Sequence, residues 1–327
     1  MTHSPSGMAR RIVVLGTGGT IAGSSPQAGA NLGYTAGTVS VENLLGGIAA
    51  PDGFTLHAEQ VAQLDSKDMD VATWCTLRER CDYWLGQEDV AGVVITHGTD
   101  TVEETAFFLH SVLCSPKPVV LACAMRPSTA LMPDGPQNLR DALAVAATIE
   151  AAGVTVVCAG EIHGAVDVCK THPYRLNAFS SGDTGPIGYV EEGAPRQLRP
   201  WPRRPSGDPV PLPSAERWPR VEIVLSHAGA RGTLIDLLVR ERQDGAPEPV
   251  AGIVLGATGN ASLHRDLEQA ALQAQAAGIE VRVAARCHEG RLLPTPDAPF
   301  PILTELSPVK ARIALALELC CGEDNAR

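Results

Sequence analysis

A chain of 327 residues, 44% hydrophobic and 19% charged, has ordinary globular balance and enough length for two domains, which excludes a disordered or fibrous protein. Its net charge of −11, with no basic stripe, argues against a nucleic-acid partner. No apolar run approaches the ~20 residues of a membrane span, and the first eleven residues hold no separate signal-peptide core, so no membrane partner and a cytoplasmic location are expected.

The first predicted strand, 11–15, runs into the glycine-rich stretch Leu-Gly-Thr-Gly-Gly-Thr-Ile-Ala-Gly (15–23). That placement suits a nucleotide phosphate, but the spacing is not Gly-x-Gly-x-x-Gly and no Gly-Lys-Ser/Thr follows. What it offers instead is the hydroxyl of Thr20, followed by a polar, glycine-rich loop at 24–38. Tyr34 in that loop is either a packed surface tyrosine or the phenol of a closing lid.

Gln63 to Met69 precedes a helix predicted over 71–85, whose Val71, Trp74, Leu77, Cys81 and Trp84 recur every three or four residues. Ser66 or Asp68 is an N-cap there, or else Ser66 offers its hydroxyl to a substrate carboxylate. The apolar strand 91–96 ends in Thr-His-Gly-Thr-Asp-Thr (96–101), more polar groups than a helix cap requires, with Thr101-x-x-Glu104 as a capping box. Strands follow at 118–123 and 154–158, then a strand or hairpin carrying Asp-Val-Cys-Lys-Thr (167–171). Lys170 is a solvated lysine, or an amine held by a nearby aspartate that exchanges a proton with a threonine.

Eight prolines between residues 193 and 219 mark an extended connector. Beyond it, strands at 221–225, 253–255 and 281–285 alternate with helices near 233–242 and 263–276, and Ser307-Pro308 opens a last helix. The fold expected is two doubly wound α/β domains: a larger catalytic domain with a parallel sheet at 1–193, a proline-rich linker at 194–219 and a smaller domain at 220–327. Nine cysteines without a Cys-x-x-Cys pair, and nine histidines without ligand spacing, point to no metal and no cofactor.

Together these segments resemble the bacterial asparaginase and glutaminase-asparaginase family, through Thr-Gly-Gly-Thr-Ile-Ala-Gly (17–23), Val-Glu-Asn-Leu (41–44), Ser-Lys-Asp-Met (66–69), Thr-His-Gly-Thr-Asp-Thr (96–101), Ala-Met-Arg-Pro-Ser-Thr (124–129), Asp-Gly-Pro-x-Asn-Leu (134–139) and Asp-Val-x-Lys-Thr (167–171). The second domain matches more weakly, at Gly259-Asn260 and at 307–312. The resemblance implies a threonine amidohydrolase that acts on a small-molecule amide and assembles as a tetramer of two intimate dimers. It implies Thr20 as nucleophile, Tyr34 on the lid, and Thr99, Asp100 and Lys170 as a second catalytic cluster. Ser66, Lys67, Gly98, Thr99, Asp100 and Asn260 are the implied substrate contacts, with Asp100 on the α-ammonium and Ser66 on the α-carboxylate.

Two departures bear on the substrate. Lys67 stands where relatives carry Gln, Glu or Ser, and a second cation beside an α-ammonium would repel it. No residue of 288–305 aligns securely with the glutamate that a neighbouring subunit lends in the family; Glu289 and Asp297 are the nearest candidates. The substrates expected are therefore L-asparagine first, then an amide with a blocked or missing α-amine. An inactive amide sensor is the third possibility.

Overall fold

A computed structural model describes residues 10–27, 29–203 and 212–324. The chain divides into two compact units, residues 1–210 and 211–327. In the first, β1 (Arg10–Gly18), β2 (Phe54–Leu64), β3 (Val90–Thr96), β4 (Pro118–Ala122) and β5 (Gly153–Cys158) lie parallel in the order β2-β1-β3-β4-β5. β6 (Glu161–Gly164) turns back antiparallel on β5, and a small hairpin pairs β7 (Cys169–Lys170) with β8 (Phe179–Ser180). β9 (Gly188–Glu191) joins β6, and β10 (Ala194–Gln197) closes the eight-stranded sheet at its edge.

Four helices cover this sheet: α1 (Val41–Leu45), α2 (Val71–Leu85), α3 (Val102–Val112) and α4 (Gly135–Ala147). Residues Ile12 through Leu15 of β1 are all fully buried, which is why the strand reads as an unbroken apolar run. Alternate residues Ile12 and Val14 share a cluster with Leu139, Ala142 and Leu143 of α4. Outside that cluster α2 packs on α3, and Trp74 stacks on Phe108 with ring centroids 5.0 Å apart. β1 lies between β2 and β3, so the chain leaves it in both directions across the sheet. The carboxyl ends of β1 and β3 therefore flank the crevice where open α/β sheets bind ligands.

The second unit orders β11 (Val221–Leu225), β12 (Gly252–Ala257) and β13 (Glu280–Ala285) side by side, all parallel, with α5 (Thr233–Gln243), α6 (Arg265–Ala276) and α7 (Pro308–Asp324). Along β12 the two-residue period serves two helix layers. Ile253 and Leu255 pack with α5 and α6, whereas Val254 packs with Ala311 and Leu315 of α7.

The structure departs from three sequence expectations. The cap of α2 is neither Ser66 nor Asp68 but Asp70, which accepts from the Thr73 N–H at 2.8 Å. Thr101 occupies the N-cap of α3 without a capping bond, because its hydroxyl donates to the Ser66 carbonyl at 2.7 Å. The proline-rich segment begins not as a free connector but as β10, where Pro195 is tolerated on an edge strand, and Trp201 is buried in the α4 cluster. Residues 204–211 of that expected connector lie outside the described residues. Among the described residues no helix is long and apolar enough to cross a membrane.

Candidate active site

β1 ends at Gly18 and Gly19 follows it, both at positive φ (102° and 78°), and the chain then enters a 3-10 turn over Thr20–Ala22. A Cβ on Gly19 would lie 2.8 Å from the His97 carbonyl carbon, and one on Gly98 would lie 3.0 Å from the Gly19 Cα and 2.7 Å from the Ser66 Cβ. Two glycines facing each other thus let the ends of β1 and β3 touch backbone to backbone. The threonine that follows each glycine is carried to the same crevice.

Thr20 is buried, 7% exposed, and its Oγ1 lies 2.7 Å from the Tyr34 hydroxyl. Tyr34 reaches it from the 24–38 segment, where Ser24 and Thr35 exchange backbone hydrogen bonds of 3.0 and 2.9 Å. Gly23 is required beneath the phenol ring, since a Cβ there would stand 2.9 Å from the Tyr34 Cδ2.

On the β3 side, Lys170 Nζ donates to Thr99 Oγ1 at 2.9 Å and to Asp100 Oδ1 at 2.6 Å. The lysine side chain is 16% exposed and the Asp100 side chain 53%. The β7–β8 hairpin delivers Lys170 across 71 residues of sequence to Thr99. The neighbouring Asp167 does not serve it, being paired instead with Arg199 at 2.7 Å.

Ser66 is 2% exposed, and its Oγ accepts the Asp100 N–H at 3.2 Å while its carbonyl accepts the Thr101 hydroxyl. Lys67 projects into solvent and pairs with Asp68. That hydrogen bond holds its ammonium above the usual lysine range, with Asp65 and Asp100 adding attraction. Ser66, Gly98, Thr99 and Asp100 are therefore gathered in one place with Lys170, and Lys67 sits at the margin.

Asn260 belongs to the second unit, where both ends of its amide are engaged by the backbone of Leu293, at 3.0 and 2.7 Å. Glu289 and Asp297 are exposed residues of the same unit. A cavity of about 560 Å³ near the start of α4, lined by Gln137, Arg140, Asp141 and Glu192 among others, contains none of these predicted site residues.

His97, for which the sequence alone suggests no role, is fully buried behind the β3 loop. Its Nδ1 lies 2.8 Å from the Gly98 carbonyl, which can only accept, so the proton sits on Nδ1. Nε2 then accepts the Thr105 hydroxyl at 2.9 Å, and the Thr105 oxygen accepts the Trp74 indole N–H at 2.9 Å. Burial pushes the imidazole down to about 4, against which the Gly98 hydrogen bond acts weakly. A neutral histidine therefore ties the loop that carries Thr99 to helices α2 and α3. The signal available in sequence was Trp74 and Thr105 on the buried faces of those helices.

Two hydroxyls, a lysine and a partly exposed carboxylate at one strand-end crevice suit nucleophilic attack with proton transfer on a small polar substrate. Comparison with known proteins narrows this. The family description "Asparaginase, N-terminal" matches residues 11–202, and "Glutaminase/Asparaginase C-terminal domain" matches 220–327. L-asparaginase 2 of Escherichia coli (strain K12) is 35% identical over 322 residues, covering 96% of this chain and 90% of the relative. Glutaminase-asparaginase of Pseudomonas fluorescens biotype A is 32% identical over 324 residues, covering 96% and 87%. The crystal structure of a probable cytoplasmic L-asparaginase from Campylobacter jejuni superposes with a TM-score of 0.82 at 34% identity, over 95% of each chain. The chain belongs to the bacterial asparaginase family and is a hydrolase of amide C–N bonds, acting on asparagine or glutamine.

Proposed function

We propose that the chain hydrolyses L-asparagine to L-aspartate and ammonia through an acyl-enzyme on Thr20. The observation that carries this reading is Lys170 Nζ bonded to both Thr99 and Asp100, in a loop packed against the turn that presents Thr20. Thr20 Oγ1 attacks the side-chain amide carbon, and its proton leaves through Tyr34 to solvent. Lys170, acting through the Thr99 hydroxyl, protonates the departing nitrogen; the C–N bond breaks, ammonia leaves and an ester remains. Water then attacks the ester, its proton returns through Thr99 to Lys170, and Thr20 regains its own from solvent as aspartate departs. Because Ser66 Oγ accepts the Asp100 N–H, its proton is available to the substrate α-carboxylate. The Asp100 oxygen not facing Lys170 receives the α-ammonium.

Pairing of Lys67 with Asp68 favours asparagine over an amide lacking the α-amine, because the aspartate offsets the lysine charge beside Asp100. Coupled ammonia detection over asparagine, glutamine, N-acylated asparagine and the desamino amide tests the reading. Asparagine is expected to give the highest kcat/KM. A higher value for an N-acylated or desamino amide would overturn the substrate assignment, and no ammonia from any amide would favour the sensor.

The assembly belonging to this reading is a cytoplasmic homotetramer of two intimate dimers. In its favour, α5 and α6 expose Leu234, Leu237 and Leu272 at 53%, 54% and 43%, apolar surface suited to a partner subunit. Sedimentation velocity is expected to give a tetramer, and a fully active monomer would contradict it.

A further inference from the structure

We propose that Ser128 and Thr129 are positioning residues that hold the 24–38 segment in place, so that the Tyr34 hydroxyl stays on Thr20. Neither residue touches the two catalytic clusters. They act through the backbone of the segment that carries Tyr34.

The Gly23 carbonyl accepts twice from Ser128, from its N–H at 2.9 Å and from its hydroxyl at 2.7 Å. Gly23 is the residue on which the Tyr34 ring rests. Thr129 binds the outgoing limb of the segment at two points: its Oγ1 accepts the Ser25 N–H at 2.9 Å, and its carbonyl accepts the Gly29 N–H at 3.1 Å. The returning limb pairs with the outgoing one through Ser24 and Thr35, one residue beyond Tyr34. Fixing Gly23, Ser25 and Gly29 therefore fixes the tyrosine.

The clamp is itself braced from the core. Asp134 accepts the N–H groups of Met125 and Arg126, both at 2.9 Å, and Arg126 donates to the Met132 carbonyl at 3.0 Å. Asn138 of α4, 1% exposed, joins Asp134 to the Cys123 carbonyl just beyond β4. The segment over Thr20 is thus tied to the end of β4 by two sets of hydrogen bonds joined through the short chain at 126–128. A lid with only its own hairpin bonds would lack that tie.

The inference rests on the proposed chemistry of Thr20 only for its consequence in turnover, so the test has an arm that does not need turnover. Thr129→Val removes the acceptor for Ser25 and keeps the shape; Thr129→Ser keeps the acceptor. Limited chymotrypsin digestion with mass mapping reads cleavage after Leu32 and Tyr34, while ammonia release from asparagine reads kcat and KM. Thr129→Val is expected to be cut about three- to tenfold faster there and to lose kcat by a similar factor, with the thermal midpoint held, as the loss of one net hydrogen bond predicts. Thr129→Ser is expected to match the wild type in both. Unchanged cleavage in Thr129→Val would overturn the proposal, as would faster cleavage with unchanged kcat where Thr20→Ala is inactive. Full activity in Thr20→Ala would sink the nucleophile assignment alone, since the cleavage result still decides the anchoring.

Discussion

Gly19 and Gly98 face each other so closely that a Cβ on Gly98 would stand 3.0 Å from the Gly19 Cα, and this contact joins the two halves of the site. Gly19→Ala, whose Cβ would fall on the Gly98 backbone, is therefore expected to force the β1 and β3 loops apart, losing about 1–3 kcal/mol of stability as overpacking does and about a hundredfold in kcat from misplacement of roughly 1 Å. Thermal unfolding and ammonia release on the purified variant check both. A variant with wild-type kcat would show that the contact does not set the spacing of Thr20 and Thr99.

Lys67 is predicted to be restrained by Asp68. Lys67→Gln should then change kcat/KM for asparagine by less than about threefold, as exposed ion pairs contribute little. Asp68→Asn frees the lysine toward Asp100 and should raise KM, with the double variant returning toward wild type. Additive effects in the double variant would mean that the two residues act separately.

His97 gives the fold a pH dependence whose sign follows from its depressed value of about 4. The unfolded chain, with an ordinary imidazole near ~6.5, binds the proton first, so stability is complete above pH ~6.5 and is lost as pH falls toward 4, by up to about 3 kcal/mol. Urea unfolding between pH 7 and pH 4.5 should show this slope in the wild type and a flatter one in His97→Gln. Equal slopes would place the titration elsewhere.

Much of the fold was legible because parallel strands buried on both faces leave apolar runs such as Val13-Val14-Leu15 and Val93-Val94-Ile95. β2 was not legible: its sequence Phe-Thr-Leu-His-Ala-Glu-Gln-Val-Ala-Gln-Leu mixes charge and amide groups, as an edge strand of half-buried and exposed residues permits. β10 was hidden by Pro195, which an edge strand accommodates.

In the site, Thr20 and Thr99 stood out singly as polar groups where buried strands end, and Ser66 as a hydroxyl at the start of a helix. The bond from Lys170 to Thr99 spans 71 residues and has no periodicity to announce it, so only the family resemblance joined them. The Gly19 to Gly98 contact and the chain from Trp74 through Thr105 to His97 are properties of packing, and neither follows from spacing alone.

Whether Thr20 is the nucleophile is decided by ammonia release from L-asparagine by wild type and Thr20→Ala. Thr20→Ala should fold with an unchanged thermal midpoint and lose at least about a thousandfold in kcat, as loss of a covalent nucleophile predicts. Equal ammonia release by the two proteins would contradict the account.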